Sequence, residues 1–364
     1  MKKVVFRVDS GSHIGIGHLM RCLTLAYEFK TQGLDIFFIT KNHKGFAESI
    51  IPSDYTVFVI DGGVAADLPL DQKNNYQSWL GESWESDLRK TNELLKKLGE
   101  VDLVVIDHYS LDDRYEKQLF CKKILIIDDL MNRKHSCDYL LDQNTSADIK
   151  AYGILMDKKT QFFLGPDYAL LKRDFLAFRK VSIERRSKNT EIIKVLVFFG
   201  GGDVGSDCIK LAKSLTSKEL DQYEFTFILN EAHSTYPELL LWSNRHSKSV
   251  KLFSFVKNMA ELMSEHDFFI GAGGSTSWER ICLGIPSAII AVAENQIKIG
   301  ESLNALKLAC YLGEGKNITS SSWRSFFENE LTDTNHFQEM SERGLKTIDG
   351  NGAFNLANAV REGL

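Results

Sequence analysis

Several features are scarce in this chain, and each scarcity removes a class of function. No apolar run approaches the ~18 residues a membrane-spanning helix requires. There is no long basic block and the net charge is −5, so nucleic acid is not an expected partner. The six cysteines (22, 121, 137, 208, 282 and 310) are scattered without a C-x-x-C pair, which reads as reduced core cysteines in a cytoplasmic protein. No D-x-D motif occurs and no histidines cluster at ligand spacing, so neither a metal nor any other cofactor is expected. Proline is limited to five residues and low-complexity segments are absent. The opening MKKVVFRVDS breaks its apolar run at Arg7 and Asp9, as a first strand does and a secretory leader does not.

What is present is an ordinary globular composition, 43% hydrophobic and 26% charged over 364 residues, enough for two cores and two domains. The organising stretch is Val4–Ala26, VVFRVDSGSHIGIGHLMRCLTLA. A short apolar strand runs into a turn containing Gly11, Gly15 and Gly17, and His18 then opens an apolar-periodic helix. Glycines let backbone approach a ligand closely, and first-turn N–H groups point into the same space. The positive end of the helix dipole favours the neutral imidazole, the form a general base needs. A capping or packing histidine is the alternative at this point.

Strands follow at Asp35–Thr40, Tyr55–Asp61, Val101–His108, Lys123–Asp129 and Tyr139–Asn144. A polar stretch, Gly62–Glu85, carries Tyr76, Trp79 and Trp84, either as a binding lip or as anchors for the loop. A charged helix runs over Ser83–Leu98. Strands ending in polar residues and alternating with helices predict doubly wound parallel sheets, which bind ligands at their carboxyl ends. Asp9, Asp107, His108, Tyr109, Asp128, Asp129 and Asn144 fall at such ends. Each is also an ordinary cap or turn residue; of these, Asp9, Asp107 and Tyr109 are the candidates for one side of a cleft.

Phe162–Arg179 reads as strand, turn and helix, and Val181–Lys194 as a charged linker. Lys194 then restarts the opening order: strand, glycine loop (Gly200, Gly201, Gly202, Gly205), helix. Strands at Tyr223–Leu229, Val250–Phe255, Asp267–Ile270 and Ala288–Val292 complete a second Rossmann-like half. Between the last two, Gly271, Gly273, Gly274, Ser275 and Thr276 cradle the start of a helix bearing Glu279. Backbone N–H groups there could hold a diphosphate without metal, and Glu279 could accept from ribose hydroxyls. A capping-box glutamate is the competing reading. The glycine loops depart from G-x-G-x-x-G, which disfavours a dinucleotide redox role. Two further helices lie near Ser321–Glu330 and from Phe337 onward.

The opening FRVDSGSHIGIGHLMRCLTLA resembles the signature of the UDP-2,4-diacetamido-2,4,6-trideoxy-β-L-altropyranose hydrolases of pseudaminic acid biosynthesis. The resemblance continues through SWLGESWESD, VVIDHYSLD, IIDDL, LLDQN and LGPDYALL, and resumes at VLVFFGGGD and GAGGSTSWERICLGIPSAIIAVAENQ. It spans roughly residues 1–310. It implies two Rossmann-like α/β domains facing each other across a cleft, as in B-type glycosyltransferases, and cleavage of a UDP-sugar to UDP and the free sugar. By the same resemblance His18 is the proton acceptor that activates water at C1, beside Gly15 and Gly17. UDP would be held by Gly273, Gly274, Ser275, Thr276 and Glu279, with Asn295 and Gln296 near the sugar or diphosphate and Asn230 as a weaker candidate. His13 matches nothing in the pattern and is read as a surface loop residue.

The expected organisation is residues 1–180 as the catalytic half, 181–193 as linker, 194–335 as the UDP-binding half and 336–364 as a helical tail. The chain is expected to be a monomer or weak homo-oligomer acting on a small molecule, with flagellin or a surface polysaccharide receiving the product. A glycosyltransferase, a hydrolase of another UDP-diacetamido sugar, a hydrolysing 2-epimerase and an inactive nucleotide-sugar binder are the alternatives.

Overall fold

The computed structural model describes residues 1–46, 48–61, 76–157, 159–188, 194–200, 204–331 and 334–364. Residues 62–75 of the aromatic-bearing stretch, Gly201 and Gly202 of the second glycine loop, and 189–193 of the expected linker lie outside the described residues. The chain divides into two compact units, Met1–Leu170 with Asn351–Leu364, and Leu171–Gly350.

The first unit holds strands β1 (Lys3–Val8), β2 (Asp35–Lys41), β3 (Thr56–Ile60), β4 (Leu103–Asp107), β5 (Lys123–Ile127), β6 (Tyr139–Asp142) and β7 (Gln161–Leu164). They form one parallel sheet in the order β3-β2-β1-β4-β5-β6-β7. Helices α1 (Gly17–Thr31), α2 (Trp84–Leu98), α3 (Asp113–Glu116) and α4 (Ile149–Leu155) lie between them. Near-continuous apolar runs suit strands covered on both faces. Val4, Phe6 and Val8 join one core with Leu19, Cys22, Leu25 and Phe29 of α1. Val5 joins the other, with Leu88 and Leu95 of α2 and Tyr115 of α3.

The second unit repeats the plan with β8 (Lys194–Phe198), β9 (Glu224–Ile228), β10 (Val250–Phe253), β11 (Phe268–Ala272), β12 (Ser287–Ala291) and β13 (Cys310–Glu314). Their order is β10-β9-β8-β11-β12-β13, again all parallel. Its helices are α5 (Arg173–Lys188), α6 (Gly205–Ser214), α7 (Ser217–Gln222), α8 (Tyr236–Arg245), α9 (Met259–Ser264), α10 (Thr276–Cys282), α11 (Asn295–Ala305), α12 (Ser320–Asn329) and α13 (Thr334–Thr347). A final helix, α14 (Gly352–Gly363), puts Leu356, Ala357 and Val360 into the α1 core of the first unit.

Two expectations about organisation change. The division falls at Leu170/Leu171 rather than at 181–193, and residues 336–364 are split, with α13 in the second unit and α14 in the first. Residues 181–188 of the charged segment read as linker belong to α5, whose arginines bind within the protein. The Arg179 guanidinium donates to the carbonyls of Cys282, Leu345 (2.5 Å) and Ile348 (2.8 Å), at the C-terminal ends of α10 and α13. Arg186 reaches the Leu283 carbonyl, and Arg185 pairs with Asp267 at 3.0 Å, just before β11. Cations at helix C-termini satisfy the last carbonyls and complement the dipole.

Charged groups are also buried at the carboxyl edge of the first sheet. Arg7, fully buried on the α2 face, binds Asp9 (2.6 Å) and Asp87 (2.6 Å). Lys41 joins them, reaching Asp87 (2.9 Å), Glu82 (2.8 Å) and the Leu80 carbonyl (2.5 Å). Burial alone would raise the Asp9 carboxyl, but Arg7 overcomes it and holds it well below its usual range. Further along, the Tyr152 hydroxyl lies 3.0 Å from both Asp128 and Asp142. One phenolic proton cannot serve two ionised carboxylates, so one carboxyl must keep its proton. Asp142 is that group: burial and the charge of Asp129 push it up to about 8. Burial also disfavours the Asp128 charge, but Arg133 and His135 prevail and hold that carboxyl low.

Two outcomes follow from this architecture. Arg179→Met leaves three helix-end carbonyls without their donor and is expected to cost about 2–3 kcal/mol. Hydrogen exchange should then show lost protection in 276–283 and 345–348, and unchanged protection there would refute the clamp. Asp142 has a folded value above its unfolded one, so its contribution is present at low pH and lost as pH rises from about 4 to 8. Relative to wild type, Asp142→Asn should therefore gain up to about 1.4 kcal/mol per pH unit across pH 5–8 in urea titrations. A constant difference would place no proton on Asp142.

Candidate active site

In a doubly wound sheet the loops leaving the two central strands diverge and open a crevice. In the first unit those strands are β1 and β4, and the sequence places a glycine turn after one and Asp107 at the end of the other. The turn closes tightly, with Gly15 N–H donating to the Gly11 carbonyl at 2.7 Å and Ser12 N–H to the Lys44 carbonyl at 2.8 Å. Gly15 has φ +83°, which a side chain would strain, and a Cβ on Gly15 or Gly17 would meet nothing within 4 Å. Both glycines therefore border open space at the mouth of α1.

His18 is the second residue of α1. Its Nδ1 lies 2.6 Å from Asp107 Oδ1. Arg21, one turn along the same face, holds both Asp107 oxygens, Nε at 2.5 Å and a terminal nitrogen at 2.6 Å, and its other terminal nitrogen reaches Asp129 at 2.9 Å. Asp107 is fully buried, which disfavours its charge, yet Arg21 and His18 hold its carboxyl well below the usual range. An ionised Asp107 accepts from Nδ1–H, which leaves Nε2 with its lone pair free to take a proton. The His18 side chain is 11% exposed, so this nitrogen belongs to a reachable group on a buried support.

Aromatic rings frame the imidazole. Tyr109 stands edge-on to it at 4.6 Å between ring centres and Trp79 at 5.9 Å, while Tyr76 packs on both Trp79 (4.9 Å) and Tyr109 (4.8 Å). The Tyr109 hydroxyl donates to Asp129, and Ser110 binds the Tyr76 carbonyl. His13 is half-buried rather than a free surface residue: its ring stands edge-on to His43 and bonds the Trp79 backbone.

The expected cleft residues separate by role. Asp107 and Tyr109 join the His18 cluster, from behind it. Asp9 does not line a cleft; it is buried against Arg7, Lys41 N–H (2.8 Å), His43 (3.4 Å) and His108 (3.2 Å). Arg21 escaped the sequence reading, although HLMRCLTLA puts it at i+3 from His18 on the buried stripe, where a charge needs a partner.

In the second unit the turn after β11 holds Gly273, Gly274 and Ser275, with Thr276 opening α10. Among the described residues, no intramolecular acceptor takes the N–H groups of Gly274, Ser275 or Thr276. Gln296, at the start of α11, lies beside this turn: a Cβ on Gly274 would come within 3.2 Å of its Nε2, while its Oε1 accepts from Val292 N–H at 3.0 Å. Asn295 is half-buried at the same helix start. Ser275 caps α10 without a side-chain bond, so Glu279 does not close a capping box there. Glu279 is half-buried, and burial pushes its carboxyl up to about 7 against the opposing pull of Lys172 and Arg280. Asn230 is turned to its own loop, accepting from Ala232 N–H at 2.8 Å. In the glycine loop after β8, Gly205 N–H already donates to His233 at 3.2 Å. Among the described residues no group of His, Cys, Asp and Glu is arranged to hold a metal ion, and no helix is long and apolar enough to cross a membrane.

No protein-family model matches the chain. It is 25% identical over 343 residues to the uncharacterized protein MJ1062 of Methanocaldococcus jannaschii, covering 92% of this chain but 62% of that protein, less than two thirds of its length. It is 27% identical over 297 residues to the UDP-2,4-diacetamido-2,4,6-trideoxy-beta-L-altropyranose hydrolase of Campylobacter jejuni, covering 81% of this chain and 93% of that enzyme. It is 20% identical to the spore coat polysaccharide biosynthesis protein SpsG of Bacillus subtilis, over 97% and 96% of the two chains. In structure it is similar to MurG of Acinetobacter baumannii, at 14% identity with TM-score 0.68 over the whole of both chains. It is also similar to UGT71G1 of Medicago truncatula complexed with UDP-glucose, at 13% identity with TM-score 0.69, over 100% of this chain and 98% of that one. The chain thus has two Rossmann-like units in a glycosyltransferase-type fold, and a distant kinship with the Campylobacter hydrolase and SpsG.

Proposed function

We propose that this protein hydrolyses a UDP-sugar at its anomeric carbon, and that the sugar is 2,4-diacetamido-2,4,6-trideoxy-β-L-altropyranose. The observation that carries the reading is the 2.6 Å contact between His18 Nδ1 and a buried, ionised Asp107. The resemblance in the opening motif and the kinship with the Campylobacter enzyme supply the substrate. In the proposed reaction, His18 Nε2 takes a proton from a water molecule as the water oxygen attacks C1. The C1–O bond to UDP breaks with inversion, its electrons leave with the diphosphate, and UDP departs as an anion. Asp107 keeps the ring in the reactive tautomer and stabilises the imidazolium as it forms. Arg21 holds Asp107 in place and, through Asp129 and Tyr109, the wall behind the ring.

The second unit has the nucleotide role in this reading. The N–H groups of Gly274, Ser275 and Thr276 would bind the diphosphate and the charge growing on it, with Gln296 and Asn295 beside them. Glu279 would accept from ribose hydroxyls, an interaction that favours its ionised form. The reading places the reaction in a soluble, cytoplasmic step of pseudaminic acid biosynthesis, carried out by a monomer or weak homo-oligomer without metal. A transferase on the same fold would use the same histidine to activate an acceptor hydroxyl, and release of UDP without any acceptor separates the two.

Incubation in ¹⁸O-water should place label in the free sugar and none in UDP, and no UDP release without an acceptor would overturn hydrolysis. His18→Asn should abolish turnover while UDP affinity is kept; equal loss of UDP binding would make the histidine a phosphate contact. Asp107→Asn should lower kcat about 10²–10⁴-fold with UDP affinity kept, because an amide no longer enforces the tautomer. Glu279→Ala should raise KM and leave kcat nearly unchanged, and an unaltered KM would remove it from the nucleotide site.

A further inference from the structure

Trp79 has a feature that the proposed chemistry does not use. Trp79 is 7% exposed, and its indole N–H is buried with no hydrogen-bond partner among the described residues. Leaving such a donor unpaired costs about 1–3 kcal/mol. Buried tryptophan N–H groups usually find an acceptor, so an orphan beside a reactive histidine points to one supplied by a ligand. The ring stands 5.9 Å from His18, and the partly exposed His18 and Tyr76 flank it, so the edge of this cluster is within reach of a bound molecule.

The surroundings restrict what that acceptor can be. Asp107 and Asp129 lie directly behind His18 and Tyr109; Arg21 is bonded to both, and the Arg133 guanidinium over the Tyr109 ring is paired with Asp128, so both cations are already matched by carboxylates and an anionic acceptor is disfavoured. A hydroxyl brings a donor as well as an acceptor into a wall of three aromatic rings. A neutral carbonyl brings only the acceptor, and a methyl attached to it packs against apolar ring surface. An N-acyl group has this combination.

We infer that Trp79 is a specificity-determining residue whose indole N–H binds the carbonyl oxygen of an N-acyl group on the sugar, with Tyr76 and Tyr109 packing the acyl methyl. The assignment rests on the reading that a UDP-sugar occupies the His18 site. It also explains the segment around Tyr76 and Trp79, where the sequence left open whether the aromatics bind a ligand or anchor the loop: Trp79 does both.

The test is ¹⁵N-indole NMR on the full chain, whose five tryptophans give five indole signals. Trp79 is identified by its contacts to the His18, Tyr76 and Tyr109 rings and by its absence in Trp79→Phe. UDP-N-acetylglucosamine and UDP-glucose serve as probes, differing only in the N-acetyl group, with UDP as reference. The expected result is a downfield shift of the Trp79 indole proton with UDP-N-acetylglucosamine alone. Trp79→Phe should bind that ligand roughly 10-fold more weakly and UDP with unchanged affinity. An unmoved Trp79 signal at saturation, or an equal shift with UDP-glucose, overturns the assignment while UDP binding upholds the nucleotide reading. Failure of UDP and both sugars to bind removes the nucleotide-sugar reading, and the assignment with it. The NMR comparison on the wild-type chain stands even where Trp79→Phe fails to fold.

Discussion

Asp107 accepts hydrogen bonds from three residues of one helix, His18, Arg21 and Cys22, and the geometry around His18 depends on that sharing. A buried carboxylate is costly unless its charge is met by close donors. Arg21 meets it with two contacts and His18 adds a third. Without Asp107, the guanidinium would stand 3.2 Å from the imidazole with no carboxylate shared between them. The array extends outward from there, since Arg21 also holds Asp129, and Asp129 receives the Tyr109 hydroxyl. A change at one member is therefore felt at the His18 ring through a chain of short contacts.

The fold brings these groups together by strand order. His18 and Asp107 are 89 residues apart in sequence, yet β1 and β4 are neighbours and their loops leave the sheet at its switch point. Arg7 then fixes the loops that surround the site. Through Asp9 it ties down the residues after β1, β2 and β4, and through Asp87 and Lys41 it ties down 80–87. An apolar residue at position 7 would cover the sheet equally well. It would leave Asp9 and Asp87 as unpaired buried charges, and the loops would lose their common anchor.

Much of this was legible in the sequence, and the parts that were not have a common cause. Strand runs, the glycine turn before His18, and the turn at Gly273–Thr276 are local patterns, and the structure has them where they were read. Arg21, Asp9 and α5 depend on distant partners. A charge in a helix stripe shows that a partner exists, but pairing with Asp107 or with the α10 and α13 carbonyls is visible only in three dimensions. β13 escaped because CYLGE is short and half-buried, with Gly313 at φ +111° interrupting the apolar run. The tail from Phe337 was read as one helix; its break into α13 and α14, and the place of α14 in the α1 core, were not visible, because many apolar faces have the same periodicity.

The two units share a strand order but present different chemistry at their switch points. In the first, charged side chains stand at the ends of β1 and β4, and they pair among themselves until one imidazole is left with a free lone pair. In the second, β11 runs into a turn whose Gly274 and Ser275 N–H groups meet no intramolecular acceptor among the described residues, so backbone is presented there. Backbone N–H groups attract an anion without introducing a countercharge that needs its own partner when the ligand is absent. Proton transfer has a different requirement: a group oriented by a close ionic neighbour, as Asp107 orients the His18 ring. On the proposed reading, the first unit orients the base and the second holds the nucleotide, so each switch point meets one requirement of the same reaction.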